Sequence, residues 1–255
     1  MNNPSRRVQD IVSEAEWNTR INLAASYRLI AHFGMSDLIY NHITARVPGS
    51  HTEFLINPYG MMYEEITASS LVKVDLDGNV LFNVDDTFSV NRAGYVIHSA
   101  IHAARHDVEC VIHTHTRAGM AVSVLECGLL PLTQMAMRFD AIAYHEYEGV
   151  AVDLDEQSRL VKDLGERDVM ILRNHGLLSV GKSIAEAFNA MYWLEMACRA
   201  QVDAMACNTP LHVPPQTVVE KTNHLYRPQV RRPFGVMEWP AMLRLLDRRD
   251  ESYKS

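Results

Sequence analysis

The stretch Leu71-Val72-Lys73-Val74-Asp75-Leu76-Asp77-Gly78-Asn79-Val80-Leu81 constrains the fold more than any other. Apolar and polar residues alternate on both sides of Asp77-Gly78, a dipeptide that accepts the positive φ of a tight hairpin turn. Two short paired strands are expected here. Other strand-like runs surround them. Leu38 to Val47 alternates until Pro48-Gly49, and Glu53 to Ile56 is stopped by the turn Asn57-Pro58-Tyr59-Gly60. Ala141 to Tyr144 reads as a further strand. Val169 to Leu172 is apolar throughout, the pattern of a strand covered on both faces.

Helical periodicity fills the spaces between. Ser13 and Glu16 form a capping box for a helix that runs to Gly34. Asn91 to Arg105 is a second, with Val96, Ile97, Ala100, Ile101 and Ala104 as its core stripe and His98 and His102 four apart on a neighbouring face. Shorter helices are expected over Ala118 to Leu125 and Glu156 to Leu164. Ser183 caps the longest, which ends at Ala206. Beyond Cys207 the chain is rich in Pro and Arg and reads as a surface tail with one short helix, Met237 to Leu246. No repeat or linker divides the 255 residues, so one domain is expected, with a core over about 15–206 and a tail over 207–255.

Charge excludes several partners. A net charge of -7 gives no electrostatic support for nucleic acid. No run approaches the roughly 18 apolar residues of a transmembrane helix, and Met-Asn-Asn-Pro-Ser-Arg-Arg lacks a signal peptide's apolar segment. Cys110, Cys127, Cys198 and Cys207 lack C-x-x-C spacing and read as buried free thiols of a reducing compartment. The expectation is a cytoplasmic protein with neither a nucleic-acid nor a membrane partner.

Chemistry concentrates in Val111-Ile112-His113-Thr114-His115-Thr116. Alternate residues of a strand share a face, so His113 and His115 project together. On spacing alone the pair reads either as a metal-binding couple or as two unrelated polar residues at a strand end. His175, directly after the apolar run Val169 to Leu172, is a further strand-end imidazole.

Asn91 to His115, Val169 to Leu178 and Tyr40 to Thr44 together resemble the class II aldolase/adducin family over about residues 15–206, the His-Thr-His-Thr and Asn-His-Gly-Leu motifs being the specific part. The resemblance implies a three-layer α/β/α fold with a central, mostly antiparallel sheet. It implies His113, His115 and His175 as ligands of a divalent ion, zinc first, with Mn, Co or Fe also compatible. It further implies a small-molecule substrate and a homotetramer with active sites near its interfaces. In the family's aldolases the ion stabilises an enolate while a C–C bond breaks, and a separate group handles protons.

The chain departs from the sugar-phosphate aldolases at the proton-handling position. Their acid/base glutamate falls on Gly94 here, and the serine pair that clamps phosphate falls on Arg92-Ala93. Of another phosphate turn only Gly60 is kept. The segments around Tyr40, Ile97 and Thr116 look most like the adducin-like bacterial branch, whose relatives include decarboxylases and iron oxygenases. The resulting expectation is a divalent-metal lyase cleaving a C–C bond, by decarboxylation or retro-aldol reaction, in a small hydroxy, oxo or aromatic acid. An Fe(II)-dependent oxygenase of an aromatic 2-oxo acid and a non-catalytic adducin-like binding module are the alternatives. Candidate proton carriers are His42, His145 and Tyr144. Asn41, Gly60 and Arg117 are the candidate substrate contacts, Arg117 through bidentate pairing with a carboxylate. His98 and His102 are read as structural or supporting groups.

Overall fold

The structure, a computed structural model, describes residues 7–139, 141–149 and 154–255. The side chains of Arg92 and Ala93, onto which the serine pair falls, lie outside the described residues. Helix α1 spans Glu14–His32, and Ser13 caps it by accepting the Glu16 N–H, as the capping box requires. Strands β1 (His42–Arg46), β2 (Glu53–Ile56), β3 (Val72–Asp75) and β4 (Val80–Phe82) follow, then α2 (Arg92–Ala104). Asp77-Gly78 does turn the β3–β4 hairpin, with Gly78 at φ 81. The remaining elements are β5 (Cys110–Thr114), α3 (Arg117–Ser123), α4 (Gln134–Met137), β6 (Ala143–His145), α5 (Leu154–Leu164), β7 (Val169–Leu172), β8 (Gly176–Gly181), α6 (Ile184–Ala206), α7 (Gln216–Tyr226) and α8 (Trp239–Asp247).

The strands form one sheet in the order β4-β3-β2-β1-β5-β8-β7-β6. Every pairing is antiparallel except β6 with β7. Strand alternation divides the core into two layers of helix. Ile43, Ala45, Cys110, Ile112, Ile171 and Leu177 face α1 and α6. Val111, Met170, Leu172, Leu178 and Val180 face α2 and α5, where they meet Ile97, Ile101, Leu160 and Leu164. Fully burying each such aliphatic side chain contributes about 1.5–3 kcal/mol. The expected three-layer α/β/α architecture with a mostly antiparallel sheet is the one observed.

Three local expectations change. The strand expected from Leu38 begins only at His42, because Leu38 and Asn41 take left-handed backbone at φ 47 and φ 73. Gly176–Gly181, which no periodicity marked, is a strand, and it pairs with both β5 and β7. The segment after Cys207 is not a loose surface tail. It holds α7 as well as α8, buries Trp239, Leu246 and Tyr253 in the main core, and pins Ala68 and Ser69 through the Tyr253 and Ser255 carbonyls at 2.9 Å each.

Candidate metal centre

Alternation along β5 puts His113 on the α2/α5 face, and His115 follows one residue past the strand end. His175 occupies the tight turn between β7 and β8, which Asn174 makes possible by taking φ 56. Gly176 is needed next, since a Cβ there would stand 2.4 Å from the Thr114 carbonyl and block the pairing of β8 with β5. The result is convergence. His113 Nε2 lies 2.8 Å from His115 Nε2, which lies 2.9 Å from His175 Nε2. The ligand atoms of the three all fall within 4.8 Å of one another.

The opposite edges of two of the rings show what that point could hold. His113 Nδ1 is 2.9 Å from the Leu177 carbonyl, and His115 Nδ1 is 3.0 Å from Asp37 Oδ2. A carbonyl or carboxylate oxygen only accepts, so both Nδ1 atoms carry the proton and both Nε2 atoms present lone pairs. Converging lone pairs repel unless a cation sits among them, and the residues therefore fit a divalent ion. Burial and the neighbouring imidazoles hold His113 well below the ordinary imidazole value and His175 at about 4, so both stay neutral and able to ligate. Three nitrogens leave coordination positions open, the arrangement of catalytic rather than structural sites. His113 is 3% exposed, whereas His115 and His175 are half-buried, so the open side lies toward the latter two.

Beside this centre His42 pairs in register with His113, its ring 5.7 Å from the His113 ring and 4.2 Å from that of His98. Both ring nitrogens are buried without a hydrogen-bond partner, as are both side-chain polar atoms of Asn41. The His42 ring fills the space over Gly94. A Cβ built there would meet Cε1 at 2.2 Å, Nδ1 at 2.5 Å and Nε2 at 2.8 Å. Glycine at this position thus makes room for an imidazole.

Other expected residues sit elsewhere. Tyr144 faces the opposite side of β6 from His145, with its hydroxyl accepting the Leu129 N–H at 2.9 Å and its ring under the Arg173 guanidinium at 4.3 Å. His145 lines a cavity that also reaches His175. Gly60, at φ 119, lies against Phe88, and Arg117 is exposed at the first residue of α3. Neither is in contact with the three imidazoles. His98 and His102 are wholly buried, and the Thr44 hydroxyl bridges them at 2.8 Å on each side.

Asp37 escaped sequence reasoning, since nothing in the loop after Gly34 marks it as the partner of His115. A carboxylate on the distal nitrogen orients a ligating imidazole and raises its basicity. Asp37→Ala is expected to weaken zinc binding about 10–100-fold, measured by competition with a chromophoric chelator, while leaving the fold intact. Unchanged affinity would remove Asp37 from the centre.

The buried imidazoles also set a pH dependence. Burial holds His42 at about 4 and His102 at about 3, against 6.5 when free. The unfolded chain takes up protons at these rings below pH 6.5, and the folded chain resists until about pH 4, so stability falls as pH drops through that window. Each unit of depression amounts to about 1.4 kcal/mol. Urea midpoints of ion-free protein should fall steeply between pH 6.5 and 4; midpoints that stay level would contradict neutral burial of these rings.

Comparison with known proteins agrees with this geometry. The profile of the Class II Aldolase and Adducin N-terminal domain family matches residues 21–202. The crystal structure of an aldolase II superfamily protein from Pseudomonas syringae is 47% identical, with a TM-score of 0.91 over 97% of this chain and 99% of that one. An L-fuculose 1-phosphate aldolase from Glaciozyma antarctica PI12 is 29% identical, with a TM-score of 0.83 over 95% of this chain and 93% of that one. Alpha-adducin of Rattus norvegicus is 43% identical over 244 residues, which cover 89% of this chain and 33% of the adducin. The chain belongs to the family of class II aldolase and adducin N-terminal domains.

Proposed function

We propose that this protein is a divalent-metal-dependent lyase that breaks a C–C bond in a small oxygen-rich acid. The observation that carries the reading is the meeting of three Nε2 atoms at one point, two of them left with lone pairs by hydrogen bonds on the far ring nitrogen. His113, His115 and His175 would hold the ion, with zinc as the first choice. When bound, the ion supplies the positive charge that draws electrons out of the breaking bond. The acid's neighbouring oxygens would approach from the half-buried side of His115 and His175, with Asn41, Gly60 and Arg117 as contacts on the substrate side.

His42 is the proton carrier we assign among the three candidates. Its unpartnered nitrogens lie next to His113, over Gly94, whereas the Tyr144 hydroxyl already accepts from Leu129 and His145 stands across the cavity. An imidazole in place of a carboxylate argues against the sugar-phosphate reaction and for decarboxylation or retro-aldol cleavage of another acid. Exposed apolar side chains near the centre, Leu38, Tyr40, Met120, Val124 and Tyr147, suit subunit contacts, consistent with a homotetramer. A cytoplasmic location fits the free thiols, of which Cys110 and Cys198 are buried as expected while Cys127, past the end of α3, and Cys207, at the end of α6, are exposed. No described helix is long and apolar enough to cross a membrane.

The test is turnover by full-length protein loaded with Zn, Mn, Co or Fe(II), against a panel of hydroxy and oxo acids and sugar phosphates. Release of CO₂ or of an aldehyde is expected, and His42→Ala should lower the rate about 10²–10⁴-fold with metal content unchanged. Oxygen consumption only by the iron form would make the protein an oxygenase instead. The likeness to alpha-adducin favours a second reading, a binding module without chemistry. An empty centre in a stable fold would support that one.

A further inference from the structure

A buried charged cluster lies across the cavity from the three-histidine centre, and the proposed reaction does not use it. His145 ends β6 and projects, like His113, toward the α2/α5 layer. The sheet order places β8 and β7 between their strands, and three strand spacings of about 4.8 Å put them roughly 14 Å apart along the sheet. His145 Nδ1 is 2.8 Å from Asp163 Oδ2, so Nδ1 carries a proton, and in the neutral ring Nε2 presents its lone pair. That Nε2 is buried with no hydrogen-bond partner, on a residue only 4% exposed. The polar atom it faces is Glu156 Oε1, 3.7 Å away, and Glu156 is itself 7% exposed.

Asp163 and Glu156 stand seven residues apart on α5, two helical turns, and so present both carboxylates to His145 from one face. The result is two electron-pair donors side by side, both out of water. Among the described residues Arg159 pairs with Glu148, and Arg173 lies over Tyr144 and 4.0 Å from Glu146. A buried carboxylate is costly unless a charge or hydrogen bonds compensate it. The cavity in front of the pair, about 10 Å³ or room for a single small occupant, is also lined by Tyr147, Leu172 and His175.

We propose that His145 Nε2 and the Glu156 carboxylate hold a second cation, separate from the three-histidine centre, with Asp163 fixing the His145 tautomer. Imidazole plus carboxylate suits a divalent ion such as Zn²⁺, Mn²⁺ or Co²⁺. A carboxylate on the distal ring nitrogen is the arrangement that orients ligating histidines. Among the described residues two groups reach this ion, one fewer than at the first centre, so it binds more weakly.

Calorimetric titration of ion-free, full-length protein with Zn²⁺ or Mn²⁺ tests the assignment. Wild type should take up two equivalents. The tighter one should vanish in His113→Ala and persist in Glu156→Gln and His145→Gln. The weaker one should show the reverse pattern, and Asp163→Asn should weaken it about 10–100-fold. If His145→Gln fails to fold, Glu156→Gln decides alone, since it keeps the side chain's shape. A single equivalent in wild type, or a second that survives Glu156→Gln, would overturn the proposal. A His145 ring found doubly protonated by ¹⁵N NMR at neutral pH in the presence of the metal would also overturn it, since an imidazolium would then bridge the two carboxylates.

Discussion

Chelation of the bound ion from full-length protein is expected to lower its melting temperature by about 8–16 °C, and His113→Ala to start near the lowered value and respond far less to the chelator. The size follows from linkage. An ion present at 1,000 times its dissociation constant stabilises the folded state by about 4 kcal/mol, and each kcal/mol moves the melting temperature of a chain this long by about 2–4 °C. His113 is the decisive position because it is buried and held at Nδ1 by the Leu177 carbonyl, so its replacement removes the most firmly placed of the three imidazoles. Losing that hydrogen bond also costs on the order of 1 kcal/mol, which His115→Ala separates from the metal effect. The carboxylate partner of His115, Asp37, is 40% exposed and can be rehydrated when its imidazole is gone. Differential scanning calorimetry with and without chelator, on wild type and both variants, reads all three. A wild type indifferent to the chelator would sink the metal centre.

What could be read from the sequence was what local chemistry decides. Ser13 and Ser183 cap their helices through side-chain contacts three residues away, and Asp77-Gly78 turns its hairpin within four residues. The spacing of His113 and His115 is equally local. β8 was not legible because its identity as a strand rests on β5, more than sixty residues earlier, and on β7 across a turn. A short run bounded by Gly176 and Gly181 carries no periodicity of its own. The third ligand, His175, entered through the family resemblance, and only the fold shows why it meets the other two. Asp37 was invisible for a related reason. Its contact with His115 joins residues 78 positions apart, beside a left-handed backbone at Leu38 that the residue type does not announce. The supposed tail misled because its prolines mark chain direction, whereas Trp239, Leu246 and Tyr253 anchor it to the core.

Gly94 yields the second large effect, and its sign depends on His42. Position 94 lies in α2 with ordinary helical backbone, where alanine should be preferred over glycine by about 1 kcal/mol. Here a Cβ would instead meet three atoms of the His42 ring at 2.2–2.8 Å, and that ring is buried against His98 with little room to retreat. Overpacking of this kind costs about 1–3 kcal/mol, so Gly94→Ala should destabilise the protein. In the His42→Ala background the obstruction is gone, and the same substitution should become stabilising by the helical preference. Urea unfolding of the four proteins closes the cycle, with an expected coupling of about 2 kcal/mol, within the range found for residues in contact. Additive effects would mean that the two residues do not share one space. The cycle also bears on chemistry. A methyl group at residue 94 must push the His42 ring off its position, so Gly94→Ala should lose turnover with its metal content intact, as expected of a proton carrier displaced from its place. Turnover that survives Gly94→Ala while the coupling is observed would assign the proton to another group.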